Sequence, residues 1–168
     1  MSDLAELSAV EASDVPVRRA EVDLTQVARD ELAARESHLR AAGLAVGSRL
    51  DGPVLVRGDS DRLHQAVGNL LANAARYCRA GDEVTVQVRS EADQAVLDVV
   101  DSGPGIPADE LPHVFDRLWR GRAAKQVAGS GIGLAVAREI VVAHGGTIQA
   151  VSPEGAGTTL TIRLPSST

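Results

Sequence analysis

Two carboxamides and a guanidinium carry the strongest chemical signal in this chain. Asn69, Asn73 and Arg76 recur at i, i+4 and i+7, the spacing that stacks side chains along one face of a helix. The apolar set Leu63, Ala66, Val67, Leu70, Leu71 and Ala74 has the period of a single buried stripe and leaves the polar three on a neighbouring face. Amide oxygens are hard ligands for magnesium and arginine is a fork for phosphate oxygens, so this face suits a metal-bound polyphosphate. The plainer alternative is the solvent face of an amphipathic helix, although asparagine is a mediocre helix former and a close pair needs a reason. Asp101 ends an apolar run and is followed by Ser-Gly-Pro-Gly. One carboxylate thus stands at a strand terminus beside Gly103 and Gly105, which let backbone approach a ligand closely; an ordinary Asp/Gly turn would read the same way.

Gly129, Gly131 and Gly133 run directly into an apolar helix, and the amides of such a helix start form an anion site. No strand precedes these glycines, which disfavours a dinucleotide-binding βαβ unit, and no Gly-Lys-Ser/Thr ending follows, which excludes a Walker loop. Between the two glycine runs lie Arg117, Arg120, Arg122 and Lys125 against Asp116 alone. In a chain whose net charge is −6 that local excess reads as a phosphate-facing lid, with a solvated loop as the bland alternative.

The elements that must position these residues follow from periodicity. A short strand is expected at Val22, then an N-cap at Asp23 to Thr25 and a helix to about Ala42, stopped by Gly43. Alternating Leu44, Val46 and Leu50 predict a strand, as do Val54, Leu55 and Val56. Asp59 or Ser60 caps the helix that carries the Asn/Arg face. Strands follow at 83–89 and 95–100, a short helix at 109–118, a helix at 131–144 ended by Gly145-Gly146, and a hairpin of 147–151 with 158–164. The pattern is that of an α/β two-layer sandwich, a mixed, mostly antiparallel sheet of about five strands covered on one face by three main helices. Residues 1–20, with four acidic side chains in the first 14 and no basic one before Arg18, read as an acidic leader, flexible or partner-docking. Residues 21–165 read as one domain and 166–168 as a polar tail.

Length and charge bound the function. With 168 residues the chain is one ordinary domain able to bury about 70% of its unfolded surface. An excess of 23 acidic over 17 basic side chains argues against nucleic acid as a partner. Apolar runs fall far short of the ~18 residues that cross a bilayer, and the N-terminus lacks the basic and apolar regions of a signal peptide. The expectation is a cytoplasmic protein with no direct membrane insertion, recruited at most to a membrane-bound partner. Cys78 is the single cysteine, so no internal disulfide or multi-cysteine metal site exists.

Taken together these segments resemble the catalytic ATP-binding domain of two-component sensor histidine kinases, within the Bergerat-fold superfamily that includes topoisomerase, chaperone and mismatch-repair ATPases. Asn69-Leu-Leu-Ala-Asn73-Ala-Ala-Arg76-Tyr77 resembles the N box and Asp101-Ser-Gly-Pro-Gly105 the first glycine box. Phe115-Asp-Arg-Leu-Trp119 resembles the F box, Gly129-Ser-Gly-Ile-Gly-Leu134 the second glycine box, and Gly157-Thr158-Thr159 the terminal element. The resemblance implies ATP and Mg2+ as ligands, with Asn73 on the metal, Asn69 supporting the same hydrated ion and Arg76 on phosphate. It implies that Tyr77 lines the pocket and that Asp101 accepts from the adenine amino group, with Thr159 nearby through water. Gly103, Gly105, Gly129, Gly131, Gly133 and Leu134 would shape the pocket, Arg117, Arg120 and Lys125 the lid, and Phe115 would pack beneath it.

A carboxamide at position 69 cannot act as a general base near neutral pH, so fast hydrolysis of ATP is not expected. The expected reaction is transfer of the γ-phosphoryl to an imidazole nitrogen. His38, His64, His113 and His144 lack the His-Glu/Asp setting of a phosphoacceptor. The histidine is therefore expected on a separate dimerisation and phosphotransfer protein, with a response regulator downstream and this chain a monomer when alone. The acidic start and polar end favour a stand-alone subunit over an excised fragment of a larger kinase. The competing reading is a nucleotide-binding regulatory module without phosphotransfer.

Overall fold

The computed structural model describes residues 19–116, 133–153 and 155–167. Strand β1 (Ala20–Asp23) leads into α1 (Leu24–Ala41), β2 (Ala45–Leu50) and β3 (Leu55–Gly58). Helix α2 (Ser60–Tyr77) is followed by the hairpin β4 (Glu83–Glu91) and β5 (Gln94–Asp101), and α3 (Gly133–Ala143) by the hairpin β6 (Thr147–Val151) and β7 (Thr158–Pro165). The main sheet has the order β2-β4-β5-β7-β6. Only β2–β4 is parallel; the other three pairings are antiparallel. β1 and β3 form a separate antiparallel ribbon.

Local chemistry accounts for the helix starts. The Asp23 carboxylate accepts the Thr25 and Val54 amides, which caps α1 and ties it to the entry of β3. Asp59 caps α2 by accepting from the amides of Asp61 and Arg62. Such caps contribute about 1 kcal/mol each. Gly43, at φ +87°, ends α1 in the left-handed region that suits glycine.

The core lies between helices and sheet. Leu63, Val67, Leu70 and Leu71 of α2 and Val136, Ile140 and Val141 of α3 pack over the inward residues Val84, Val86, Leu97, Val99, Leu160 and Ile162. On the opposite face Asp98 is buried under Arg89, Gln87 and Thr161, all of which donate to its carboxylate. These donors hold its carboxyl below the ordinary range even though burial pulls the other way. That face is polar, so the helices cover one side only, as the sequence pattern predicts.

One expectation is corrected. The helix predicted over 109–118 is, among the described residues, a single 3-10 turn at Leu111–His113, because Val114 is the only fully buried side chain there and one anchor cannot hold an amphipathic helix. Within the polar tail the Ser166 amide donates to the Asp93 carbonyl and the Ser167 amide to the Leu55 carbonyl, fastening this segment to the β4–β5 turn and to β3. β1 begins at Ala20, within the segment assigned to the leader; residues 1–18 lie outside the described residues.

Candidate functional site

Helix α2 is the spine of the site. Its Asn69, Asn73, Arg76 and Tyr77 are all half-buried. Asn69 Nδ2 donates to the carbonyl of Gly133 at 3.0 Å, which joins the helix to the first residue of α3. Asn73 and Arg76 make no hydrogen bond or ion pair with any described residue. Arg76 lies at the edge of this face, where it lines, with Arg35, His38, Ala72 and Ala75, a groove of about 350 Å³ between α1 and α2.

At its other end α2 meets the loop after β5. Cys78, the C-cap residue, lies against Gly103, whose Cβ position would stand 3.0 Å from the thiol and 3.1 Å from Asp101 Oδ1. Asp101 Oδ1 accepts the Gly103 amide at 2.9 Å, and the Thr158 amide and Cys78 thiol donate to the same carboxylate. Burial nevertheless pushes the Asp101 carboxyl above its ordinary value, since the loss of hydration outweighs those donors. From Asn69 to Cys78 the helix covers about 13 Å, so α2 holds a carboxamide face from its middle onward and meets a half-buried carboxylate at its C-terminal end.

The glycines here are needed for close approach. Gly105 adopts φ +81° and Gly157 φ +76°, and a Cβ at Gly157 would run into the Asp101 carbonyl. Ser152 closes the arrangement: its hydroxyl accepts the Ile106 amide at 2.7 Å and donates to the Gly157 carbonyl at 2.8 Å. The loop after β5 is thereby fastened to the β6–β7 turn. Sequence reasoning missed Ser152, whose only signal is a hydroxyl residue just past a strand end.

One assigned residue is displaced. In the β5–β7 register Asp101 stands opposite Thr158, not Thr159, and directly opposite residues share a face. Thr158 is buried and within 3.2 Å of the Ser152 hydroxyl, whereas Thr159 alternates to the open face of the sheet. The threonine beside Asp101 is therefore Thr158. Phe115 is half-buried against the core and Leu134 is buried at the start of α3. Arg117, Arg120, Lys125, Gly129 and Gly131 lie outside the described residues.

His144 ties α3 back to α2. It is buried, its Nδ1 donates to the Ile140 carbonyl at 2.7 Å, and its Nε2 accepts the Asp59 amide at 3.0 Å. Those partners require a neutral ring, and burial lowers its pKa accordingly. Among the described residues no group of three His, Cys, Asp or Glu side chains could hold a metal ion. A cation here would take amide and ligand oxygens, which the Asn73 amide and Asn69 Oδ1, both without partners among the described residues, can supply.

Residues 58–168 match the family model described as histidine kinase-, DNA gyrase B-, and HSP90-like ATPase. The probable sensor histidine kinase TcrY of Mycobacterium tuberculosis is 40% identical over 89% of this chain and 32% of its own length. The sensor histidine kinase WalK of Bacillus subtilis is 34% identical over 98% of this chain and 28% of its own. Among solved structures, the mycobacterial sensor histidine kinase MprB superposes with a TM-score of 0.77 at 34% identity, over 88% of this chain and 98% of that one. The Acinetobacter baumannii histidine kinase AdeS does so with a TM-score of 0.78 at 29% identity, over 99% and 77%. This chain spans about a third of the length of the curated relatives it matches.

Proposed function

This chain belongs to the histidine kinase-, DNA gyrase B- and HSP90-like ATPase family, and on that premise we propose that it is the ATP-binding catalytic unit of a two-component histidine kinase. It moves the γ-phosphoryl of ATP to a histidine imidazole on a separate phosphoacceptor and dimerisation protein, which relays it to a response regulator. The observation that carries the reading is the course of α2, which brings the Asn69/Asn73 face to the start of α3 and its own C-terminus to the half-buried Asp101. That arrangement offers phosphate and cation groups at one end and a hydrogen-bond acceptor for a base at the other.

In this reading the adenine amino group donates to Asp101, which the Gly103 and Thr158 amides hold in place. The amides of the first described turn of α3, from Gly133 to Ala135, donate to phosphate oxygens. Asn73 would hold Mg2+ through its amide oxygen with Asn69 supporting the same ion, and Arg76 would contact phosphate. Bound Mg2+ supplies neutralisation of the charge that develops on the polyphosphate. The P–O bond between γ- and β-phosphate breaks as the P–N bond forms, and ADP leaves. No carboxylate stands at position 69 to activate water, so transfer outruns hydrolysis.

The test is Asn73→Asp, which keeps an oxygen ligand but adds charge beside the polyphosphate. Transfer measured with labelled ATP is expected to fall about tenfold or more, and unchanged rates would remove Asn73 from the metal.

A further inference from the structure

Helices α2 and α3 run antiparallel, because the N-cap of α2 touches the end of α3 while the middle of α2 touches its start. Their contact is apolar except at two side-chain hydrogen bonds among the described residues. One is the Asp59 amide to His144 Nε2, the other Asn69 Nδ2 to the Gly133 carbonyl, both 3.0 Å long. The two bonds are separated by about 15 Å along α2 and about 16 Å along α3, at 1.5 Å rise per residue. Because these spans match, both bonds can close only in one sliding register of the pair. Gly58 belongs to the same device, since a Cβ there would collide with the His144 ring.

We infer that Asn69 is a positioning residue whose amide N–H pins the first turn of α3 against α2, so that the α3 amides stand at a set distance from Asn73. The Gly133 carbonyl already accepts the helical bond from the Ala137 amide, and the Asn69 amide takes its second lone pair. Its other atom, Oδ1, has no hydrogen-bond partner among the described residues. One side chain thereby couples the cation side of the site to the phosphate side. His144 cannot do this alone, for it fixes the far end of α3 and leaves the first turn free to splay. The pin itself is independent of ligands; only its functional consequence rests on the nucleotide reading above.

Hydrogen exchange of the full chain, without nucleotide and with EDTA, tests the pin. Asn69→Ala and Asn69→Asp both remove the N–H donor, and Asp also retains an oxygen for a cation. Each should speed exchange at the Ala137 amide and its neighbours at least fivefold, leaving β4 and β5 unchanged. Val142→Ala, on the exposed face of α3, should leave the same amides unchanged. No acceleration in the metal-free protein, or an equal acceleration throughout the molecule, would overturn the inference. With nucleotide, Asn69→Ala should raise the KM for ATP five- to tenfold and change kcat less. Accelerated exchange together with no ATP binding by the parent protein would leave the pin standing and sink the nucleotide reading instead.

Discussion

Asp101 is satisfied by backbone and thiol donors and still costs stability when ionised, because burial raises its pKa above the value in the unfolded chain. With a raised folded pKa, its contribution is greatest below the unfolded value and is lost as pH rises through the folded one. At neutral pH the charge is a net burden that binding of a base would justify. Asp101→Asn should therefore leave the melting temperature unchanged or higher in a thermal scan while ATP affinity by calorimetry falls at least tenfold. A variant that melts well below the parent would contradict this. Cys78 sits in the same corner, where burial first, then the charges of Asp101 and Asp82, push its thiol up to about 12. Thiolate is the reactive form, so iodoacetamide at pH 8 should label the folded protein at least a hundredfold more slowly than the chain unfolded in guanidinium. Equal rates would mean that the thiol is not held as described.

At the scale of elements, the α2–α3 pair carries a pH dependence. His144 is lowered chiefly by burial, with Arg19 and Arg62 lowering it further against the pull of Asp59 and the Ile140 carbonyl. Its stabilisation is present above about pH 6.5, the ordinary histidine value, and is lost as pH falls toward the folded value. Unfolding by urea should show stability declining from pH 7 to 5, and His144→Gln should flatten that decline; an equally steep profile would place the titration elsewhere. The three long helices were legible because each buries a stripe of regular period and two begin at an Asp cap. The 109–118 segment was not, since Pro112 and a lone buried valine hold only one tight turn among the described residues. The parallel β2–β4 pairing was hidden as well, for Gly47, Ser48 and Arg49 give β2 little alternation and partner choice is decided by tertiary packing. Assigning Thr159 in place of Thr158 is a one-residue error, and one residue reverses the face in a strand. The site is legible where it stands on α2 and at Asp101, whose residue types are unusual for their elements. It is illegible at Ser152 and the Asn69–Gly133 bond, which depend on segments far apart in sequence.

For the whole molecule, helices cover one face of a five-stranded sheet, and no described helix is long and apolar enough to cross a membrane. None of the four histidines is offered as phosphoacceptor by its surroundings: His144 is locked as a neutral staple, and His64 and His113 pair with Glu31 and Asp116. His38 lines the α1–α2 groove. On the proposed reading the phosphoryl group passes to a histidine other than these four, and hydrolysis of ATP by this chain alone is slow. The direct test is transfer of labelled γ-phosphate from Mg-ATP, first with this chain alone and then with candidate histidine-bearing partners, followed by an acid-lability assay of the product. The account predicts acid-labile label on a partner histidine and none on this chain. Measurable ATP binding with no label on any partner would contradict it, and would leave a nucleotide-binding regulatory module in its place.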